Sequence, residues 1–404
     1  MEKVFSKKAP RKKAKSDLVY DCDGCTLFEN GLNPQLEHTG KGGKGILIIG
    51  GATDALDDRR GLPLQGKAGR LLQQTLGNLD VDLEEDCWVL NAVNCISPEG
   101  KEASPYQIQC CYNTVILPTI TELEPKVIIL LGPIALKSVI GERWRKNLGG
   151  IAKWRGFVIP DRDLGCWVVP TLHPSFVQWN DREIHTVWKQ DLRKAVEAAS
   201  TKFPKPSQPS IRFIEDLSVL EDFKDAELIS FDYETTGLKP HAAGHKIICA
   251  SVAINPSTVF TFLMPETKRK RQPFIDLISS RTVGKMAANM KFEDTWSKVR
   301  LRTQVQNWVW DSMLAAHILD NRTGVTGLKF QTYVNFGVID YSSEIEPYLR
   351  SGSVDGNGVN KIRVLLETES GTEKLLRYCA LDSHYQYLLA KAQMEIMNYR
   401  GLQF

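Results

Sequence analysis

The stretch LISFDYETTGL, residues 228–238, places Asp232 and Glu234 two positions apart after an apolar run. Side chains alternate across a strand, so two such residues share one face. Two carboxylates side by side next to a hydrophobic run repel each other unless a cation joins them. More acids follow along the chain: Glu293 and Asp294 in NMKFEDTW, Asp311 in WVWDSML, and Asp382 four residues after Tyr378 in RYCALDSHYQYLL. Four residues apart on a helix means one face. Several hard oxygen donors suit Mg²⁺ or Mn²⁺. Two such ions held together would cleave a phosphodiester with water, and Tyr378 stands where it could orient that water. Each signal also has a plain structural reading. A D-x-E at a strand end can be a turn, Asp311 can cap the helix that follows it, and Tyr378 with Asp382 can be a surface pair.

The elements that must carry these residues fall into two groups. Ala199 to Phe213 (ASTKFPKPSQPSIRF) holds three prolines and three serines before Ile211 and reads as a linker. Ahead of it, KGILIIGG, CWVLNAVNC, KVIILLGPIALKSVIG and CWVVPTLHPSF alternate with helix-like segments such as AGRLLQQTLGNL and QCCYNTVILPTITELE. That alternation predicts a parallel-sheet α/β domain with its site at the strand C-termini. Behind it, LISFDYETTGL, KIICASVAI and STVFTFLM predict a three-strand meander, followed by helices over VWDSMLAAHILDN and EKLLRYCALDSHYQYLLAKAQMEIMNY. The expected organisation is a basic arm at 1–18, a first domain at 19–198, a linker at 199–210 and a second domain at 211–404.

With 51 basic and 48 acidic residues, the net charge of +3 diagnoses no partner. No run of 18 apolar residues suggests a membrane span. The basic N-terminus lacks the apolar core of a secretory signal. Nine cysteines, an odd number, argue against a disulfide framework and for a reducing, cytoplasmic setting. Most of them precede residue 167. Cys22 and Cys25 form C-x-x-C, Cys95 follows a predicted strand, and Cys110 and Cys111 adjoin. Four thiolates drawn from this set could hold zinc or an iron–sulfur cluster.

The order FDYETTGL, NMKFEDTW, YCALD resembles the 3′–5′ proofreading exonuclease domain of the DNA polymerase I family, within the DnaQ-like (DEDD) superfamily. The similarity covers about residues 211–399 and includes VWDSMLAAHIL and GLKFQTYVNFGV. It implies a ribonuclease H-like fold, with Asp232, Glu234 and Asp382 holding two Mg²⁺ or Mn²⁺ ions and Tyr378 positioning the nucleophilic water. Asn289 would contact substrate. The second-motif acid, usually aspartate, is Glu293 here, with Asp294 as the alternative ligand. The implied substrate is the 3′ end of single-stranded DNA. In that family a polymerase follows the exonuclease. None is expected to fit after NYRGLQF, so the chain is either an isolated nuclease or, the favoured expectation, works with a separately encoded polymerase.

The first half, from YDCDGCTLFEN to TLHPSF, resembles family 4 uracil-DNA glycosylases. The resemblance implies a structural 4Fe–4S cluster on Cys22, Cys25, Cys95 and Cys111, since the family's spacing places its fourth cysteine at Cys111. It also implies that Asn91 reads the uracil edge, that His173 stabilises the departing uracil anion, and that Leu64 and Gly66 lie in the DNA-facing loop. The first family motif, G-E-A-P-G, is GGATD here: Gly51 replaces the acid, Thr53 the proline and Asp54 the last glycine. Leu64 stands where a stacking phenylalanine is usual. Either the domain excises uracil with Asp54 or Asp57 supplying the missing acid, or it only holds DNA. Pairing of these two domains resembles replication machinery of bacteriophage type. A bifunctional glycosylase–exonuclease and a non-catalytic DNA-binding accessory subunit are the alternative expectations.

Overall fold

The computed structural model describes residues 20–98, 101–144, 146–205, 208–339, 341–351 and 357–398. The expected basic arm at 1–18 lies outside the described residues. The chain divides into two compact units, residues 1–158 with 164–202, and 159–163 with 203–404.

In the first unit four strands lie side by side in the order β2-β1-β3-β4, all parallel: β1 (Ile46–Ala52), β2 (Cys87–Val93), β3 (Val127–Leu131) and β4 (Cys166–Thr171). β3 is wholly buried and β1 nearly so. That is why they read as near-continuous apolar runs rather than as alternations: helices cover both faces of a parallel sheet. The helices used below are α1 (Cys22–Cys25), α2 (Ala55–Arg60), α3 (Lys67–Gly77), α4 (Pro105–Cys111), α5 (Gly132–Val139) and α6 (Arg182–Ala198). α6 presents Trp188, Leu192 and Ala195 at helical spacing to the core under β3 and β4. The helix-like segment over 109–124 is helical to Leu123, α4 running through a five-residue π-helical turn at 112–116 into a further helix, Leu117–Leu123.

The second unit carries a six-stranded mixed sheet in the order β10-β9-β6-β7-β8-β5. These are β5 (Ser210–Phe213), β6 (Leu228–Thr235), β7 (Ile247–Asn255), β8 (Thr258–Leu263), β9 (Gly284–Ala287) and β10 (Trp308–Asp311). β6, β7 and β8 form the expected antiparallel meander, and β9 and β10 add in parallel beside β6. Counted from β6, the five strands after β5 stand in the order 3-2-1-4-5 with only the second antiparallel. This is the ribonuclease H-like arrangement. The helices are α7 (Lys268–Ser279), α8 (Met290–Trp296), α9 (Ser312–Leu319), α10 (Leu328–Phe336) and α11 (Gly371–Ile396). One reading is corrected here. VWD is the end of a strand and not the start of a helix; α9 begins only at Ser312, with Asp311 as its cap. The β-branched and aromatic residues of WVW favour a strand, and the sheet edge beside β9 takes them up.

Candidate active site

The second unit brings its acids together from three elements. Asp232 and Glu234 lie on one face of β6, opposite Ser251 and Cys249 of β7. α11 packs against β6 and β7 and supplies Tyr378, Cys379 and Asp382. α8 supplies Glu293, which is 2% exposed, its Oε2 finding no hydrogen-bond partner. Burial, then the Asp382 charge, push the Asp232 carboxyl well above the usual range. Burial, then Asp232, do the same to Glu234 and Glu293. The like charges are therefore mutual neighbours as well as desolvated.

Asp294 belongs elsewhere. It pairs at 2.5 Å with Lys298, one turn on and half exposed. Of the two candidates in the second motif, Glu293 is the one facing the other acids. Asp311 holds rather than reacts. It accepts from the backbone N–H groups of Asn289 (3.1 Å), Met290 (3.0 Å), Met313 (2.9 Å) and Leu314 (3.2 Å), which joins the starts of α8 and α9. Asn289 has φ +69°, a left-handed conformation that asparagine tolerates better than most residues, and it turns the chain from β9 into α8.

Two functional side chains escaped the sequence reading. Lys329 of α10 donates to Asp382, and its ammonium lies 3.9 Å from the ring centre of Tyr341 and 4.2 Å from that of Tyr378. Tyr341 donates its hydroxyl to the same Asp382 oxygen at 2.6 Å. Burial pulls the Lys329 ammonium down against the opposing pull of Asp382. The one signal available was a lysine inside the apolar-periodic GLKFQTYV.

A single lysine cannot balance Asp232, Glu234, Glu293 and Asp382. Enclosed oxygens in excess of positive charge, one of them unpartnered, fit a hard divalent cation.

In the first unit the candidate residues gather at and just beyond the C-terminal ends of β1, β2 and β4. Asn91, 1% exposed, donates to Asp57 (3.2 Å) and Thr53 (3.4 Å). Asp57 also accepts from the N–H groups of Leu64 (3.1 Å) and Gln65 (2.7 Å), and burial pushes its carboxyl up. Asp57 is thus the buried peg of the loop after α2. Asp54 caps α2 through its Oδ1. Leu64 sits in that loop at φ +54°, and Gly66 precedes α3. The Gly69 position admits no side chain, since a Cβ would come to 1.7 Å from the Leu64 carbonyl oxygen.

His173 accepts on Nδ1 from the Ser175 N–H (3.2 Å), with the Ser175 hydroxyl at 2.6 Å. That leaves its proton on Nε2, and burial keeps the ring neutral. A Cβ at Gly51 would meet Nε2 at 3.6 Å, so the imidazole edge faces the place of the missing acid.

The cysteines converge apart from these residues. Cys25, Cys95, Cys110 and Cys111 are buried in one cluster with Leu27, Val93 and Ile108. Burial pushes the Cys111 thiol up to about 12, with the charges of Cys95, Cys25 and Cys22 adding. Cys95 is raised by burial, against a Gln35 N–H donated to its sulfur at 3.2 Å. Cys110, raised to about 11, has Cys25 and Tyr106 as neighbours. Cys22, half-buried, acts on both Cys95 and Cys111 as Cys25 does, so Cys22, Cys25, Cys95 and Cys111, with Cys110 beside Cys25 and an N–H aimed at the Cys95 sulfur, offer a donor set that fits a metal or a thiolate-ligated cluster.

Comparison with known proteins agrees with the first sheet. The uracil DNA glycosylase superfamily model matches residues 38–198. The type-4 uracil-DNA glycosylase of Pyrobaculum aerophilum is 31% identical over 166 residues, 40% of this chain and 81% of that relative. That of Thermotoga maritima is 28% identical over 184 residues, 45% and 90%. Through this half the chain belongs to the uracil-DNA glycosylase superfamily, in its type-4 group. Among solved structures, Brucella melitensis NrnC shares 19% identity and a TM-score of 0.35 over 47% of this chain and 84% of that one. Escherichia coli RNase D shares 13% and 0.34 over 47% and 45%. At those TM-scores the likeness adds nothing to the strand order, which alone gives the second unit its fold.

Proposed function

We propose that the second unit is a metal-dependent 3′–5′ exonuclease acting on the 3′ ends of DNA. The observation that carries this reading is the meeting of the buried Glu234, Glu293 and Asp382 with the half-buried Asp232 in one cation-poor site. These four would hold Mg²⁺ or Mn²⁺, as two ions, which when bound supply an activated water and neutralise the leaving oxygen. Tyr378 orients the water. Lys329 holds Asp382 in place through its hydrogen bond, while its ammonium on the Tyr378 ring holds that side chain in place. Asn289 lies at the entrance of α8, where a terminal nucleotide would dock. A terminal base enters only when unpaired, so single strands are preferred. Labelled single-stranded DNA with Mg²⁺ tests this: stepwise 3′ shortening, lost in Asp232→Ala/Glu234→Ala, is the expected result. No digestion by the wild type in either Mg²⁺ or Mn²⁺ would leave a non-catalytic DNA-binding accessory.

For the first unit we infer a DNA-holding domain with a 4Fe–4S cluster on Cys22, Cys25, Cys95 and Cys111 and with weak uracil excision. Asn91 and the Nε2–H of His173 keep a uracil-reading arrangement. The two acids that could replace the missing one, however, are engaged in a cap and a loop peg. Leu64 also offers less stacking area than an aromatic ring. Alkali treatment after incubation with uracil-containing DNA reads this directly. Abasic sites only at stoichiometric protein are expected; multiple-turnover excision would establish a bifunctional enzyme. Broad visible absorption from a brown protein, lost in Cys95→Ser, is expected of the cluster. The same reading makes the protein a proofreading component of bacteriophage-type DNA replication in the host cytoplasm, working with a separate polymerase. Co-elution with the polymerase of the same source at low salt tests that partnership.

A further inference from the structure

We propose that Cys379 completes, with Asp232 and Glu234, a site for a thiophilic divalent cation, Zn²⁺ or Cd²⁺, that shuts off the Mg²⁺-dependent centre. The idea rests on the exonuclease reading for its consequence, but not for the binding itself. One carboxylate oxygen from each acid and the Cys379 sulfur lie within 4.8 Å of one another. The fold explains the convergence. Glu234 stands across from Cys249 on β7, and α11 crosses these strands with Cys379 three residues before Asp382. The Cys379 sulfur is 3.8 Å from Asp232 Oδ2 and 3.7 Å from the Asp232 carbonyl oxygen. It is wholly enclosed. A second observation points into the same place. Glu293, 2% exposed, leaves its Oε2 without any partner, and of the charges acting on it that of Asp232 is the strongest.

Ligand chemistry then divides the cations. Mg²⁺ takes oxygens and gains nothing from a sulfur. Zn²⁺ binds thiolate at about 2.3 Å and carboxylate oxygen at about 2.0–2.2 Å, which sets neighbouring donors roughly 3.3–3.8 Å apart in a tetrahedron. The three donors need close by only about an ångström to reach that spacing. Binding forms one metal–sulfur bond, and the thiol proton leaves to solvent with no change of oxidation state. Because two of the ligands are the acids that Mg²⁺ requires, the two ions exclude each other.

The test is a Cd²⁺ titration of the full chain, followed by the ultraviolet thiolate-to-cadmium band. The other cysteines contribute a constant background, so differences between variants carry the result. Cys379→Ser should lose one site's share of the band. Asp232→Asn, which keeps all nine thiols, should lose the same share. A loss of sulfur–metal absorption on removing a carboxylate is not produced by a merely structural cysteine. In parallel, the Zn²⁺ concentration that halves Mg²⁺-dependent digestion should rise at least tenfold in Cys379→Ser, each protein being referred to its own zinc-free rate. An unchanged band in Asp232→Asn overturns the proposal. So does an unchanged Zn²⁺ midpoint in Cys379→Ser when digestion is present. If wild type digests nothing, the exonuclease reading fails while the absorption result still decides the site.

Discussion

At the scale of single residues the second unit stores a charge conflict. Asp232, Glu234 and Glu293 are each held above the usual carboxylate range, first by burial and then by neighbouring acids. A carboxyl raised in the folded state binds more protons there than in the unfolded chain. Its stabilising share is therefore full below the ordinary carboxylate pKa and is lost as pH rises through the folded one. In the presence of a chelator, the melting midpoint should fall as pH rises above the ordinary carboxylate range, and it should fall less in Asp232→Asn. Mg²⁺ at the upper pH should restore it. Equal slopes in the two proteins would show that the acids are not in conflict. The same geometry separates Glu293 from Asp294. Glu293→Gln should lower Mg²⁺-dependent digestion by about 10²–10³-fold, as removal of a key electrostatic group does. Asp294→Asn, which breaks only an exposed pair with Lys298, should change it little. Lys285 gives an independent reading. It is fully enclosed, donates to the carbonyls of Ser280 and Val283, and burial lowers it to about 8. The unfolded chain binds the proton more tightly between about pH 8 and 10.5, so this residue's contribution to stability rises with pH across that window. Subtracting the profile of Lys285→Met from that of the wild type should expose the rise.

At the scale of elements, one acid works as a joint. Asp311 ends β10, caps α9 and accepts from the first N–H groups around α8. Asp311→Ala should cost about 1–2 kcal/mol for the lost cap, as such truncations do. It should also weaken digestion, because α8 carries Glu293. Asp311→Asn, which can still accept, should recover much of both; equal losses in the two variants would contradict the joint. This element also shows what the sequence made legible and what it hid. Short apolar runs announced β6 to β8, and the fixed spacing of Tyr378 and Asp382 announced one helical face. WVWD misled, because three bulky residues before a cap suit a strand end as well as a first helical turn, and only the free edge of β9 decides between them. Lys329 was hidden for a different reason. Its partner Asp382 is 53 positions away, and a lysine among helix formers reads as solvated surface until tertiary packing encloses it. The opposite error was available at Asp57, which looked like a free acid near the glycosylase motif. Its bonds to Leu64, Gln65 and Asn91 exist only once the loop folds back.

At the scale of the whole molecule, each unit closes cores of its own. Buried residues between 46 and 198 form the core of the first sheet, and a second group joins Cys25, Cys95, Cys110 and Cys111. Between 217 and 305 the second unit packs Phe231, Phe260, Phe262, Phe274 and Trp296, and further clusters seat α11. A cluster of thiols and a cluster of acids therefore report on different cores. Ligands that bind only a folded site raise that site's unfolding free energy by mass action. Calorimetry should then show two transitions addressed separately. Mg²⁺ should raise one of them, and Asp232→Asn should abolish that response without touching the other. Loss of the proposed cluster through Cys95→Ser should lower the other and leave the Mg²⁺ response intact. A single transition moved by both changes would mean that the two cores melt as one cooperative body. In that case any effect of the first unit on digestion would reflect shared stability rather than DNA holding. If instead the transitions separate, a Cys95→Ser protein that still shortens free single strands at the wild-type rate, yet binds duplex-borne ends more weakly, assigns the first unit to substrate capture.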